Sequence, residues 1–424
     1  MRNLLLSKDF KAKHRTSPKA FVKDRILTFP VLVLSLANFL KGSLQDELDQ
    51  FFQAVLKLDV ARRVVTRSAL CQARKKISHR VFIDLLDSIC NFLNLHGPML
   101  AYQGMRVFAI DGSTLRLPNR RDVSGTFGTS NPKNGGPVLA RVSLLHDVLN
   151  RITYDAVMDN YHVGETTIAW QHLEEADLPN GSLILLDRGY CDFLLLQHIR
   201  DLGHHFCARM KGNLKVVKEF RKLGVREAIL HYRPSKKAKE QLGLDSPLRK
   251  GFAVRLIRYK FGKEEFVLMT TLLDMKANSS LDISDLYHQR WQVEESYKIK
   301  KSRLKLEDFS GVSTENILQD FHAKVFAECL SSALALELRE YTDNYSLNTQ
   351  NEYKISLTQV LAKMKNTIAL LFLRPRIETL VGDLLAIFSK SLVNAIPGRR
   401  CHGNRRGNSG LKLQTHSTGY RCNR

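Results

Sequence analysis

Hydrophobic positions recur along this chain with two periods. Up to about residue 95 the spacing is helical. Phe29–Leu40 is an almost unbroken apolar run, and Ser43 follows as an N-cap with Asp46 in the place of a capping-box acid. Leu44, Leu48, Phe51, Phe52 and Val55 then form one helical stripe. A second amphipathic segment starts near Ser68 and carries Gln72, Arg74, Lys75 and Lys76. Two short helices joined by a brief turn, the second basic, would suit a DNA major groove. A helical bundle with solvated basic faces accounts for the same pattern.

From about residue 105 the period shortens to that of strands. Val107–Ile110 is the first apolar run, Val138–Leu145 and Ile152–Met158 read as an antiparallel pair around Asn150, and Ser182–Leu186 and His205–Met210 follow. Helices are predicted over Glu165–Glu175 and from about Tyr190 to Arg200. Strands interleaved with helices predict an α/β layered core. Residues 212–275 break the rhythm with a basic run (Arg233 to Lys250) and β-type segments at Phe252–Tyr259 and Glu265–Thr271, a β-rich insertion. Helix returns over Ile283–Lys301 and Thr314–Tyr341. The last segment, from Pro397, holds Lys and Arg without acids and reads as a tail that orders only on meeting an anion.

Charge narrows the partners. Against 42 Asp and Glu stand 65 Lys and Arg, a formal net charge of +23 in 424 residues. Such a field attracts polyanions, nucleic acid first among them. The seven cysteines are scattered without a CxxC pair, which suits reduced thiols rather than a disulfide framework. Cys401, His402 and Cys422 lack a fourth zinc ligand at suitable spacing. No secretory signal or membrane-length apolar stretch is found, so a soluble cytoplasmic protein, nucleoid-associated and without a membrane partner, is expected.

Three acids stand out by context. Asp111, in Ile110-Asp111-Gly112, and Asp187, in Leu186-Asp187-Arg188-Gly189, each follow an apolar strand. Polar groups at the carboxyl ends of neighbouring strands converge on one crevice, although an acid there is also a common helix N-cap. The third acid is Glu294. On a continuous helix Tyr287, Arg290, Glu294, Lys298 and Lys301 would share one face. A solvated, ion-paired face is the bland account. On a helix packed against a sheet, a carboxylate flanked by cations suits a metal and phosphates.

Tyr287, Arg290, Glu294 and Lys301 together resemble the Tyr-Arg-Glu-Lys signature of bacterial insertion-sequence transposases of the Asp-Asp-Glu type (insertion-sequence family four). Asp111 and Asp187 look like that family's two aspartates. The resemblance implies an α/β, RNase H-like catalytic core, a mixed sheet flanked by helices and interrupted by a β-rich insertion, with helical N- and C-terminal regions. The implied division is a DNA-binding region over 1–100, core over 101–211, insertion over 212–275, the rest of the core with the Glu-bearing helix over 276–345, and a C-terminal helical region and basic tail over 346–424. It implies cut-and-paste transposition by two-metal strand cleavage and transfer. Asp111 would bridge two Mg2+ or Mn2+ ions, while Asp187 and Glu294 each complete one. Tyr287, Arg290, Lys298, Lys301, Arg209 and Arg188 are expected at DNA phosphates. Double-stranded DNA, as inverted-repeat ends and target, and a second copy in a synaptic homodimer are the expected partners. Phe266 falls where the family places an aromatic that stacks on a flipped base, although a core strand Phe accounts for it as well. A catalytically inactive relative acting as an end-binding repressor is the alternative, which the intact acid set disfavours.

Overall fold

A computed structural model describes residues 1–394 apart from 24, 39–41, 132–134, 243–245, 262–263 and 350. The basic tail from Pro397 therefore lies outside the described residues. The chain divides into two compact units, one of Met99–Thr114 with Arg141–Lys298, the other of Met1–Pro98, Leu115–Ala140 and the chain from Ile299 onward.

The first of these units is built on one sheet of eight strands. They are β1 (Val107–Arg116), β2 (Leu139–Asp147), β3 (Ile152–Asn160), β4 (Leu183–Leu186), β5 (His205–Arg209), β6 (Glu227–Tyr232), β7 (Phe252–Phe261) and β8 (Glu264–Thr270). Their order across the sheet is β3-β2-β1-β4-β5-β8-β7-β6. β1, β4 and β5 run parallel, and β8, β7 and β6 continue antiparallel from β5. The expected mixed α/β architecture is present. The β-rich residues 212–275 do not stand apart from the sheet: β8 bonds directly to β5, so the three strands prolong it.

Local chemistry explains the strands. Leu183–Leu186 is apolar at every position and fully buried, as a central parallel strand covered on both faces must be. The β2–β3 connection closes where Asn150 donates to the Asp147 carboxylate at 2.9 Å and Arg151 takes φ +56°. The helix Glu165–Glu175 matches its expected bounds, and Phe193–Asp201 begins where the Asp192 side chain accepts from the Leu194 and Leu195 N–H groups.

Two expectations are corrected here. β1 does not end at Asp111 but runs on to Arg116, so that acid sits in mid-strand. The helix expected over Ile283–Lys301 is two helices, Ser280–His288 and Trp291–Ser302. Between them the Gln289 N–H divides between the Asp285 and Leu286 carbonyls, and the Arg290 N–H bonds to Tyr287, three residues back. This tightening turns the chain without Gly or Pro to mark it.

The other unit is helical. Its axis is Thr314–Leu336, buried almost all round and packed against Arg80–His96. The helix stops at Leu336 rather than Tyr341, and Arg339–Thr349 is a separate helix. Arg74, expected on a DNA-facing helix, is 0% exposed; its guanidinium donates to Gln319, Ser310, Asn316 and Asp320. The helices Leu44–Leu56 and Arg67–Arg74 are separated by residues 57–66, longer than a brief turn. Among the described residues, no helix is long and apolar enough to cross a membrane.

Candidate active site

Strand register brings the first two acids side by side. Ile110 on β1 is level with Leu186 on β4, and Leu186 with Ala208 on β5. The next residue on each strand is Asp111, Asp187 and Arg209. Parallel strands lie about 4.8 Å apart, and level residues point to the same face, so the row presents two carboxylates and a guanidinium together. β4 stops at Leu186, which leaves Asp187 at a strand end beside mid-strand Asp111. The short helical turn Arg188–Tyr190 follows, tied down where the Cys191 thiol donates to the Arg209 carbonyl at 2.8 Å.

Glu294 reaches this row from the first turn of Trp291–Ser302. The helix is fastened to the sheet by the buried Tyr297, whose hydroxyl donates to the Asp111 carbonyl at 3.0 Å and lies 3.3 Å from the Val142 carbonyl. Arg290 is 5% exposed, and its guanidinium donates to Glu294 Oε1 at 2.9 Å. The break between the two helices is what lets Arg290 turn inward rather than continue a solvated face.

The charges of these groups are felt mutually. Burial pushes the Asp111 carboxyl up most; Glu294 and Asp187 add to it, while Arg290 and the Gly112 N–H pull it back, leaving it at about 6. Burial alone would lower Arg290, but Tyr287, Asp187, Asp111 and Glu294 more than reverse that and hold it charged. Three carboxylates thus crowd one buried guanidinium. Among the described residues, no three acids, histidines or cysteines are drawn close enough to hold a metal ion. The cation here is Arg290.

The remaining expected residues are distributed unevenly. Tyr287 is 4% exposed, its hydroxyl 3.5 Å from Asp187 Oδ1 and its acidity suppressed first by burial. Arg209 lies 3.9 Å from the same oxygen. Arg188 is exposed on its turn. Lys298 is exposed and donates to Glu295 at 2.5 Å. Lys301 is half-buried, beyond the point in the helix where the chain enters the other unit.

Sequence reasoning passed over Tyr297, three residues after Glu294 and therefore on a neighbouring helical position. It also passed over Glu165. That carboxylate pairs with Arg141 at 2.8 Å and lies so close to Gly112 and Gly189 that a Cβ there would stand 3.2 and 3.3 Å from its oxygens. Both glycines sit just after the two aspartates, and this packing gives their smallness a reason that the strand–Asp–Gly pattern did not state.

Comparison with known proteins gives the family. The family described as "Transposase DDE domain" matches residues 102–330. The chain is 22% identical over 280 residues to transposase InsG for insertion sequence element IS4 of Escherichia coli (strain K12), covering 62% of each chain. It is 32% identical over 155 residues to the putative transposase InsZ of the same organism, covering 35% of this chain and 51% of that one. The match thus spans less than two thirds of either curated relative. Among solved structures, the piggyBac transposase synaptic complex with hairpin DNA is similar at 12% identity and a TM-score of 0.46, over 94% of this chain and 85% of that one. The chain belongs to the transposases of the DDE-domain family.

Proposed function

We propose that the chain is a cut-and-paste transposase of an insertion sequence, cleaving DNA at the element's ends and joining them to a target through an RNase H-like core. One observation carries the reading: the strand register that sets Asp111 level with Asp187, with Glu294 near enough to raise Asp111. Asp111 and Asp187 would hold one divalent cation, and Asp111 and Glu294 a second. The donor chemistry suits such ions, since it is all carboxylate oxygen and hard Mg2+ or Mn2+ prefers oxygen, and binding would draw the three carboxylates closer than they stand here. Burial first, then the neighbouring carboxylates, lift Asp111, and a bound cation would offset both. When bound, two such ions lower the pKa of an attacking water or hydroxyl and neutralise the leaving oxygen.

The chain's own residues do the rest. Arg290 balances the acids without metal and is placed to swing to a DNA phosphate, where its planar fork grips two oxygens. Tyr287 and Arg209 orient Asp187, and Tyr297 locks the Glu294 helix to β1. Arg188, Lys298 and Lys301 supply phosphate contacts at the margin. The substrate is double-stranded DNA bearing terminal inverted repeats, synapsed by a homodimer.

The test uses the full chain and a duplex carrying the terminal repeat found beside the coding region. Nicking at the repeat with Mg2+ or Mn2+, and none in EDTA, is the expected result. Asp111→Ala, Asp187→Ala and Glu294→Ala should each abolish nicking while the gel shift of the duplex persists. Full cleavage by one variant removes that residue from the mechanism, and a wild-type chain that binds ends but never nicks refutes the reading.

A further inference from the structure

The Asp187 carboxylate closes a circuit of five side chains. Two donors approach the same oxygen, Oδ1: the Tyr287 hydroxyl at 3.5 Å and an Arg209 guanidinium nitrogen at 3.9 Å. Neither is held by the strand that carries Asp187. Arg209 lies over the ring of Phe266, with its Cζ 4.0 Å from the centroid. Phe266 pairs across the β7–β8 ladder with Tyr259, and the two rings stack at 6.3 Å and 30°. Tyr259 in turn meets Tyr287 edge-on at 5.9 Å.

Strand parity allows this arrangement. Arg209 pairs with Leu268, and Phe266, two residues along β8, shares its face. Phe266 is half-buried, whereas Val267 and Leu268 beside it are 1% and 0% exposed. A ring that served only as core would be covered by aliphatic neighbours rather than by a guanidinium.

We propose that Phe266 and Tyr259 are positioning residues for Asp187, an aromatic bracket through which the β7–β8 hairpin sets Arg209 and Tyr287 on one carboxylate oxygen. This rests on the transposase reading of the same site and gives the hairpin a part in it. Two cationic or hydroxyl donors converging on Oδ1 bias the carboxylate toward the side where they stand. A guanidinium stacked on a ring has lost most of its freedom before it meets the acid. The base-stacking role that the family resemblance suggests for Phe266 is a different one, because here the ring serves Arg209.

The experiment is a double-mutant cycle on end cleavage at saturating metal and DNA. Phe266→Leu should slow cleavage by roughly threefold to tenfold, the size of a partly exposed cation–π contact, and leave end affinity unchanged. Arg209→Ala should slow it at least as much, and the double variant should be no slower than Arg209→Ala alone. Phe266→Tyr should restore the rate. Should leucine unfold the hairpin, Phe266→Met asks the same question at nearly conserved volume. The Arg209 guanidinium proton resonance, shifted upfield by the ring in the wild type, should return to its ordinary position in Phe266→Leu but not in Phe266→Tyr. Losses that multiply in the double variant, or an unshifted Arg209 resonance in the wild type, overturn the proposal. A wild type that fails to cleave refutes the functional reading, while the resonance still decides the bracket.

Discussion

Replacing Asp111 by Asn should strengthen the folded protein while removing its activity, and the size of the effect follows from the site. An aspartate ordinarily loses its proton near 3.8, but burial and the neighbouring Glu294 and Asp187 hold Asp111 until about 6. At about 1.4 kcal/mol per pH unit, ionising it therefore costs about 3 kcal/mol more in the folded chain than in the unfolded one. The sign is fixed by proton uptake. Between pH 3.8 and about 6 the folded chain binds more protons than the unfolded, so stability falls as pH rises through that window. The full cost is present above it. Asn has no proton to lose and can still accept from the Gly112 N–H. In urea unfolding with EDTA, Asp111→Asn should be more stable than wild type by up to about 3 kcal/mol at pH 8, by roughly half that at pH 5, and by almost nothing below pH 4. Adding Mg2+ should narrow the gap from the wild-type side, since only the wild type keeps the full ligand set. A variant that is destabilised at pH 8, or a gain that does not vary with pH, would refute the reasoning.

Other outcomes follow from buried charge, backbone and DNA contact. Lys300 and Glu328 pair at 3.1 Å with 0% and 1% exposure, so Glu328→Ala should cost about 3–5 kcal/mol, whereas Lys300→Met with Glu328→Leu should recover most of it; chemical denaturation of the three chains decides this. Gly251 takes φ +81°, and a Cβ there would stand 2.1 Å from the Tyr232 carbonyl oxygen. Gly251→Ala should therefore cost at least about 2 kcal/mol, visible as a lower melting temperature, and an unchanged melt would show that the turn relaxes freely. Lys298→Ala and Lys301→Ala should each flatten the log–log salt dependence of end binding by roughly one, and an unchanged slope would mean that the side chain touches no phosphate.

The legible parts of this protein are those whose cause is local. Short apolar runs located most strands of the sheet, and the helix Glu165–Glu175 was readable to the residue, because such runs and amphipathicity are written in consecutive positions. What escaped is set by distant partners. Arg74 reads as a solvated cation on a short basic helix, and only the fold supplies Asp320, Gln319 and Ser310 to bury it. The joining of β8 to β5 could not be read either, since no spacing within 212–275 says which strand it will pair with. At the site, the acids were recognisable from their contexts, but the reason they meet was misplaced. Asp111 does not terminate its strand; the β1–β4 register puts it level with Asp187, which follows the end of the shorter β4.

The break before Glu294 shows why such a difference matters for chemistry. On one straight helix, Arg290 and Glu294 would be an ordinary i,i+4 surface pair, worth a few tenths of a kcal/mol. The turn at Gln289 instead buries Arg290 to 5% exposure among three carboxylates. In that setting the guanidinium is the positive charge that allows the acids to coexist. If the three acids hold the ions proposed above, they repel one another while no ion is bound, and a guanidinium among them offsets that repulsion. The identical residues on an unbroken helix would leave Asp111 to bear that repulsion unaided.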